Sequence, residues 1–345
     1  MKPRTTILKM APYPAAAEGR RRFLRLDLNE NTVGCSLRVL RAIRRSITRP
    51  MLATYPEYGK ALARIAASFH RKPEETLLTN GVDEAILLLF TAFLAPGGRV
   101  VVAEPCFDMY RFYASLAGIE VTTVRRRGDL QLPLADLCRA ARGARAILLD
   151  NPNNPTGTVA APKALEALAR DFPKTLLLVD EAYYDFYGRT VLPLIRRYPN
   201  LVVTRTFSKA HGLAGLRLGC LFAHRDTAAH LKKAQSPYSV NAVALTAACE
   251  AIRDPNYLRR YVSQVLASRQ ELPAALEKMR IRTIPSQANF VLARFGNRAD
   301  VVVRQLRRRG ILVRDRGHEL PGWVRITLGT LSQTRRLIRA LRAIL

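Results

Sequence analysis

TRTFSKAHGLAGLRLG, Thr204 to Gly219, follows the apolar, β-branched run Leu201, Val202 and Val203, which reads as a buried strand. The stretch carries one lysine, Lys209, flanked by Ser208 and Ala210. Gly212, Gly215 and Gly219 let the backbone bend tightly and approach a ligand closely. Arg217 follows the lysine within the same stretch. A lysine at a strand end, with hydroxyls before it and an arginine after it, suits one chemistry. The amine forms a Schiff base while Thr206, Ser208 and Arg217 hold a phosphate. Most lysines are solvated surface groups, so the stretch needs support from elsewhere in the chain.

Outward from it, strands and helices alternate. Strands are expected at Thr76 to Leu78, Val100 to Ala103, Ile119 to Val124, Ala146 to Leu149, Leu176 to Val179, Leu201 to Thr204 and Leu218 to Phe222. Helical patterns cover Asp108 to Leu116, Leu134 to Ala141, Lys163 to Arg170 and Thr227 to Ala234. Such alternation predicts an α/β domain with a largely parallel sheet covered on both faces. Ligands of such sheets sit at the carboxyl ends of the strands. PCF, DNPNNPTG, DEAYYDF and TFSK each follow a strand, where that rule wants them. TNGVDEAILLLFTAFLAPGG opens a helix through Gly81, which reads equally as an anion site or as an ordinary helix start.

Residues 1–50 read as an arm followed by a short helix, with APYP (Ala11 to Pro14) and LDLNENTVG (Leu26 to Gly34). Asn29, Glu30 and Asn31 look like a polar turn in a solvated loop. After about Asn241 a long helical region, with a break expected at Asp254-Pro255, leads to a strand–helix–strand–strand–helix unit, a smaller α+β domain. The expected division is an arm and part of the small domain at 1–50, a large domain at 51–240 and a small C-terminal domain at 241–345.

The chain of 345 residues has ample length for a large core. It has no apolar run long enough for a membrane span and no signal-peptide core, so a cytoplasmic protein is expected. Its cysteines (35, 106, 138, 220 and 249) lie far apart without zinc-ligand spacing, and no metal site is expected. The net charge of +29 is the one abnormal number. Its functional reading is a polyanion partner such as nucleic acid. Yet the arginines are spread along the chain and sit in no recognisable nucleic-acid module, which favours compositional drift.

DNPNNPTG (Asp150 to Gly157) is a rigid loop presenting amides at a strand end. In DEAYYDF (Asp180 to Phe186) a carboxylate ends the apolar run LLLV, a costly position unless it meets a cation or proton donor. Together with Lys209 these motifs supply what pyridoxal phosphate needs. Asp180 would keep the ring nitrogen protonated, Tyr183 and Asn154 would donate to the ring oxygen, and Phe107 would cover the ring face.

NPNNPTG, DEAYYDF and TFSKAHGLAGLRLG, in this order and spacing, resemble the fold-type I aminotransferases. More narrowly, the chain is similar to the histidinol-phosphate aminotransferases through APYP, NEN…G, TYPE, NGVDEAI, PYSVN (Pro237 to Asn241), SQANF, GILVR and VRITLGT. The resemblance covers nearly the whole chain. It implies a mostly parallel seven-stranded sheet in an α/β/α sandwich beside a smaller α+β domain. It makes Lys209 the Schiff-base lysine that moves the substrate's proton, Asp180 the partner of the pyridine nitrogen, and Tyr183 and Asn154 those of the ring oxygen. The phosphate would meet the amides of Val82 and Asp83, the hydroxyls of Thr206 and Ser208, and Arg217. Tyr55 would reach that phosphate from the second subunit of a homodimer. Arg325, helped by Arg314 and Tyr13, would take the substrate's anionic group.

The implied reaction converts histidinol phosphate and 2-oxoglutarate into imidazole acetol phosphate and glutamate. An aromatic amino acid aminotransferase is the alternative within the fold, and a nucleic-acid-binding protein on a transaminase scaffold is the alternative of another class. A phosphothreonine decarboxylase-like activity fits SKAHGLAGLR less well. Three departures stand out: NENTVGCS lacks the family's usual prolines and aromatic, PCF replaces PTY, so that Phe107 stands where tyrosine is usual, and His211 replaces a phenylalanine. The first two line the substrate side and bear on the amino donor; His211 reads as packing.

Overall fold

The computed structural model describes residues 1–13 and 18–345, so Pro14 of the APYP motif lies outside the described residues. Along the chain the strands are β1 (Leu24–Leu26), β2 (Thr76–Asn80), β3 (Arg99–Glu104), β4 (Glu120–Arg125), β5 (Ala146–Asp150) and β6 (Leu176–Asp180). They continue with β7 (Leu201–Thr206), β8 (Leu218–Ala223), β9 (Arg282–Ile284), β10 (Phe290–Arg294), β11 (Ile311–Asp315) and β12 (Trp323–Thr327).

Seven of them form one sheet in the order β2-β8-β7-β6-β5-β3-β4. All run in one direction except β8, which is antiparallel to both β2 and β7. Every residue of β5 and β6 is buried, as befits strands covered on both faces. Alternate side chains feed two separate cores. Ile147, Leu149, Leu177 and Val179 pack with Ile65, Leu137, Leu165 and Leu168. Ala146, Leu148, Leu176 and Leu178 pack with Ile86, Leu89, Tyr110 and Leu231. The α/β/α layering thus follows from the period-two reading of strands without a polar face.

A second sheet has the order β1-β11-β12-β10-β9. β1 pairs parallel with β11, Leu24 opposite Ile311, and the remaining pairs are antiparallel. Helices Pro255–Lys278, Ala299–Arg308 and Leu331–Arg342 contribute Val265, Leu272, Val302, Leu306, Leu337 and Leu341 to its core. The N-terminal arm therefore supplies an edge strand here. Its helix Leu37–Ser46 instead sends Val39 into the large sheet's core, beside Ala244 and Ala248 of helix Ala242–Ala251. The helical break expected at Asp254-Pro255 falls between two separate helices, with Asp254 capping the second through its bond from the Tyr257 amide. Among the described residues no helix is long and apolar enough to cross a membrane.

Gly219 fixes how the large sheet meets the helix Gly81–Phe93. A Cβ at Gly219 would lie 2.7 Å from the Gly81 carbonyl carbon and 2.9 Å from the Val82 nitrogen, both backbone atoms that cannot swing away. At Gly215 an added Cβ meets nothing within 4 Å. Gly219→Ala is expected to cost about 1–3 kcal/mol as an overpacked contact, and Gly215→Ala to stay within about 0.5 kcal/mol. Equilibrium denaturation of the two variants checks this contrast, and equal effects would refute it.

Candidate active site

β5 and β6 end in register on Asp150 and Asp180, so two carboxylates emerge side by side on one face. Both are buried, each 4% exposed. The structure handles them differently. Asp150 is bonded on both oxygens by the DNPNNPTG loop, from Asn153 Nδ2 at 2.8 Å and the Asn154 amide at 2.6 Å. Burial raises its carboxyl to about 6. Asp180 accepts from the Thr204 hydroxyl at 2.8 Å and the Ala182 amide at 3.1 Å, both on Oδ1. Both carboxylates line a cavity of about 240 Å³, but only Asp180 keeps an oxygen, Oδ2, without a hydrogen-bond partner among the described residues. Burial, with a smaller push from Asp150, raises its carboxyl to about 7.

Lys209 follows β7 and reaches the same cavity. Its Nζ donates to the Leu28 carbonyl at 3.1 Å. Burial, and then the charge of Arg325, lower its amine to about 8, which brings the neutral, nucleophilic form within reach of physiological pH. The Tyr183 hydroxyl accepts a bond from Asn29 Nδ2 at 2.9 Å, so its own proton is left for another acceptor. Burial pushes this phenol up to about 12, which keeps it protonated.

One end of the cavity is an anion cradle. It combines Val82 and Asp83, at the start of helix Gly81–Phe93, with Thr206, Ser208 and Arg217. Helix N-termini present free amides and a partial positive charge. Arg217 takes the left-handed conformation, φ +54°, and its Nη2 bonds Asp83 Oδ2 at 2.8 Å. A Cβ at Gly81 would lie 2.5 Å from that nitrogen, so the glycine makes room for the guanidinium.

At the other end Arg325 projects from β12. Its Nη1 bonds Asn154 Oδ1, its Nη2 bonds the Asp27 carbonyl at 2.6 Å, and its Nε is buried without a partner among the described residues. A buried unpaired N–H on a guanidinium is costly, and Nη1 and Nη2 each keep a second hydrogen with which to meet an anion. Arg314, Arg316, Tyr13, Asp108 and Phe107 line the same space.

Every site residue expected from the sequence lines this cavity except Tyr55. Tyr55 is 73% exposed and stacks on Tyr238 with ring centroids 4.5 Å apart. His211 packs against the Phe207 ring at 4.8 Å and lies outside the cavity lining.

The reading of residues 29–31 as a solvated turn is corrected. Asn29 and Asn31 are buried, 1% and 4% exposed. Asn29 sits at φ +56°, its Oδ1 accepts from Thr327 Oγ1 at 3.0 Å, and Asn31 Nδ2 donates to the Ala210 carbonyl at 2.9 Å. The left-handed backbone at Asn29 suits asparagine, which tolerates that conformation better than most side-chain-bearing residues. Asp108, Asp150 and Arg316 join the site without having been expected there. Asp150 carried the same signal as Asp180, a carboxylate at the end of an apolar run, whereas nothing local marked the other two.

The donor set fits pyridoxal phosphate. The cradle has the donors for a phosphate, Asp180 can hold a ring N–H, Tyr183 has a proton to give, and the Lys209 amine shares the cavity.

The sequence matches the family described as aminotransferase class I and II over residues 21–341, and the chain belongs to that family. It is 40% identical to a histidinol-phosphate aminotransferase of Symbiobacterium thermophilum over 99% of this chain and 98% of that protein. It is 36% identical to one of Carboxydothermus hydrogenoformans over 93% of each. The crystal structure of histidinol-phosphate aminotransferase from Sinorhizobium meliloti in complex with pyridoxal-5'-phosphate superposes with a TM-score of 0.90 at 25% identity, covering 99% of this chain and 96% of that one. The expected α/β fold, with its mostly parallel seven-stranded sheet and second sheet, is the fold found.

The raised carboxyl of Asp180 has a consequence for the cofactor-free protein. The unfolded chain ionises this group above its ordinary 3.8, while the folded chain holds the proton up to about 7. The unfolded state therefore binds fewer protons in that window, and Asp180 makes stability fall as pH rises through it. Each tenfold difference in proton affinity between the two states corresponds to about 1.4 kcal/mol. Asp180→Asn should flatten the fall between pH 4 and 7. Urea denaturation of both cofactor-free proteins at several pH values checks it, and parallel profiles would refute it.

Proposed function

We propose that this aminotransferase carries pyridoxal 5'-phosphate and transfers the amino group of histidinol phosphate to 2-oxoglutarate, giving imidazole acetol phosphate and glutamate, a step of histidine biosynthesis. The observation that carries the reading is a single cavity with the Lys209 amine in its wall and two separate groups of anion-receiving side chains, one around Arg217 and one around Arg325. Two such groups suit a phosphorylated cofactor and an anionic substrate. The similarity to histidinol-phosphate aminotransferases along nearly the whole chain supports the choice of substrate.

Bound pyridoxal phosphate supplies a carbonyl carbon for imine formation and a protonated ring that withdraws electrons from the substrate's Cα. The remaining work falls to the chain. Val82 and Asp83 amides, the Thr206 and Ser208 hydroxyls and Arg217 hold the phosphate. Asp180 keeps a proton on the ring nitrogen, and its burial strengthens that pairing. Tyr183 and Asn154 would hold the ring oxygen, and Phe107 would cover the ring. Lys209 would move the proton at the substrate's Cα, for which an amine with a lowered pKa is well matched. Arg325, with Arg314 and Tyr13, takes the substrate's anionic group.

The active unit on this reading is a cytoplasmic homodimer in which Tyr55 reaches the cofactor phosphate of the neighbouring subunit. Its exposed ring in the single chain accords with a partner there. Residues 51–240 make the large domain on this reading and 241–345 the small one, completed by the arm.

The cofactor-loaded protein, mixed separately with histidinol phosphate and with phenylalanine, is expected to lose the absorbance of its bound cofactor rapidly only with the first. Rapid loss only with phenylalanine would move the protein to the aromatic aminotransferases. Lys209→Ala should reduce turnover by on the order of 10⁴-fold or more, and normal transamination by that variant would sink the mechanism.

A further inference from the structure

Arg316 looks at first like a third anion receiver in the substrate half of the cavity. It lines the space and is only 3% exposed. Its guanidinium is already committed, however. Nε and Nη2 meet Glu319 Oε1 at 3.2 and 2.7 Å, and Nη1 and Nη2 meet the two Asp108 oxygens at 3.5 and 3.3 Å. All three nitrogens are engaged, so little remains to offer a phosphate or carboxylate.

The group of Asp108, Arg316 and Glu319 comprises one guanidinium and two carboxylates, net negative when ionised. Of the two carboxylates, Asp108 lines the cavity. The Tyr13 hydroxyl donates to its Oδ2 at 3.3 Å. Arg316 therefore fixes an acceptor in the cavity wall. Asp108, His318 and Glu319 also bring potential metal-ligand atoms within 4.8 Å of one another. Arg316 already supplies the positive charge between two of them. Arg325, whose Nη1 and Nη2 each keep a second hydrogen, takes the opposite role of donor.

We propose that Asp108 is a specificity-determining residue that accepts a hydrogen bond from the ring N–H of an imidazole-bearing substrate, while the substrate's phosphate rests on Arg325 and Arg314. The proposal deepens the histidinol-phosphate reading and rests on it. An imidazole N–H meeting a carboxylate makes a charge-assisted hydrogen bond. A phenyl ring in the same place has no donor and strips water from Asp108 without replacing it, the kind of loss by which polar pockets reject analogues lacking the matching group.

The test compares half-reaction rate constants for histidinol phosphate and phenylalanine in the wild-type holoenzyme, Asp108→Ala and Asp108→Asn. The ratio of the two is expected to fall at least about tenfold in Asp108→Ala, and less in the isosteric Asp108→Asn, which keeps an acceptor oxygen but no charge. Calorimetry of histidinol phosphate binding to the cofactor-free proteins should show the same order of affinities. A ratio that rises in Asp108→Ala overturns the proposal and would mark Arg316, freed from Asp108, as an anion receiver. A wild-type enzyme inert toward histidinol phosphate but active with phenylalanine overturns the functional reading and this proposal together. A ratio that holds in both variants, in an enzyme whose wild type does use histidinol phosphate, overturns this proposal alone.

Discussion

Two carboxylates buried on neighbouring strand ends create the constraint around which this site is built. Asp150 and Asp180 are opposite one another in the sheet, and desolvation opposes charge on both. The chain resolves the conflict asymmetrically. The DNPNNPTG loop folds back on Asp150 and bonds both its oxygens, which also fixes Asn154 in the cavity wall. Asp180 is bonded on Oδ1 alone, by Thr204 and the Ala182 amide, which leaves its Oδ2 unpaired among the described residues. One carboxylate shapes a loop and the other keeps a free oxygen.

The second sheet is tied to this site by a few consecutive residues. The Asp27 carbonyl bonds Arg325, the Leu28 carbonyl bonds Lys209, and the Asn29 side chain bonds Tyr183. These partners come from β12, from the segment after β7 and from the segment after β6. Arg20 bonds both Asp27 and Glu30, at 2.7 and 3.0 Å, and so braces the segment along its outer side. Because β1 runs directly into it, pairing of β1 with β11 sets the height at which those carbonyls meet their donors.

What could be read from residues alone divides along physical lines. The central strands β3, β5, β6 and β7 were visible because both their faces are buried, leaving nearly unbroken apolar runs. Their shared cavity was visible because Asp180 and Lys209 interrupt or follow those runs at the strand ends. β1 was not visible: three residues, Leu24, Arg25 and Leu26, gain their strand identity only from β11, which lies far along the chain. The antiparallel sense of β8 likewise comes from tertiary pairing. Asn29 looked like a loop residue because its burial depends on Thr327 and Tyr183, neither of them near in sequence. Arg316 was hidden among many arginines, and only its partners distinguish it from a surface residue.

The arginine-rich composition gives Lys209 an unusual chemical background. The chain has 56 basic residues, and most of them are arginine. A guanidinium stays protonated and does not condense with an aldehyde under mild conditions, so an aldehyde entering this protein meets few competing amines. Among them Lys209 is the one whose proton is loosened by burial beside a fixed positive charge. The same scarcity leaves carbonyl reagents few amines to trap by reduction on a densely cationic surface, and Lys209 is the one lysine that is not exposed.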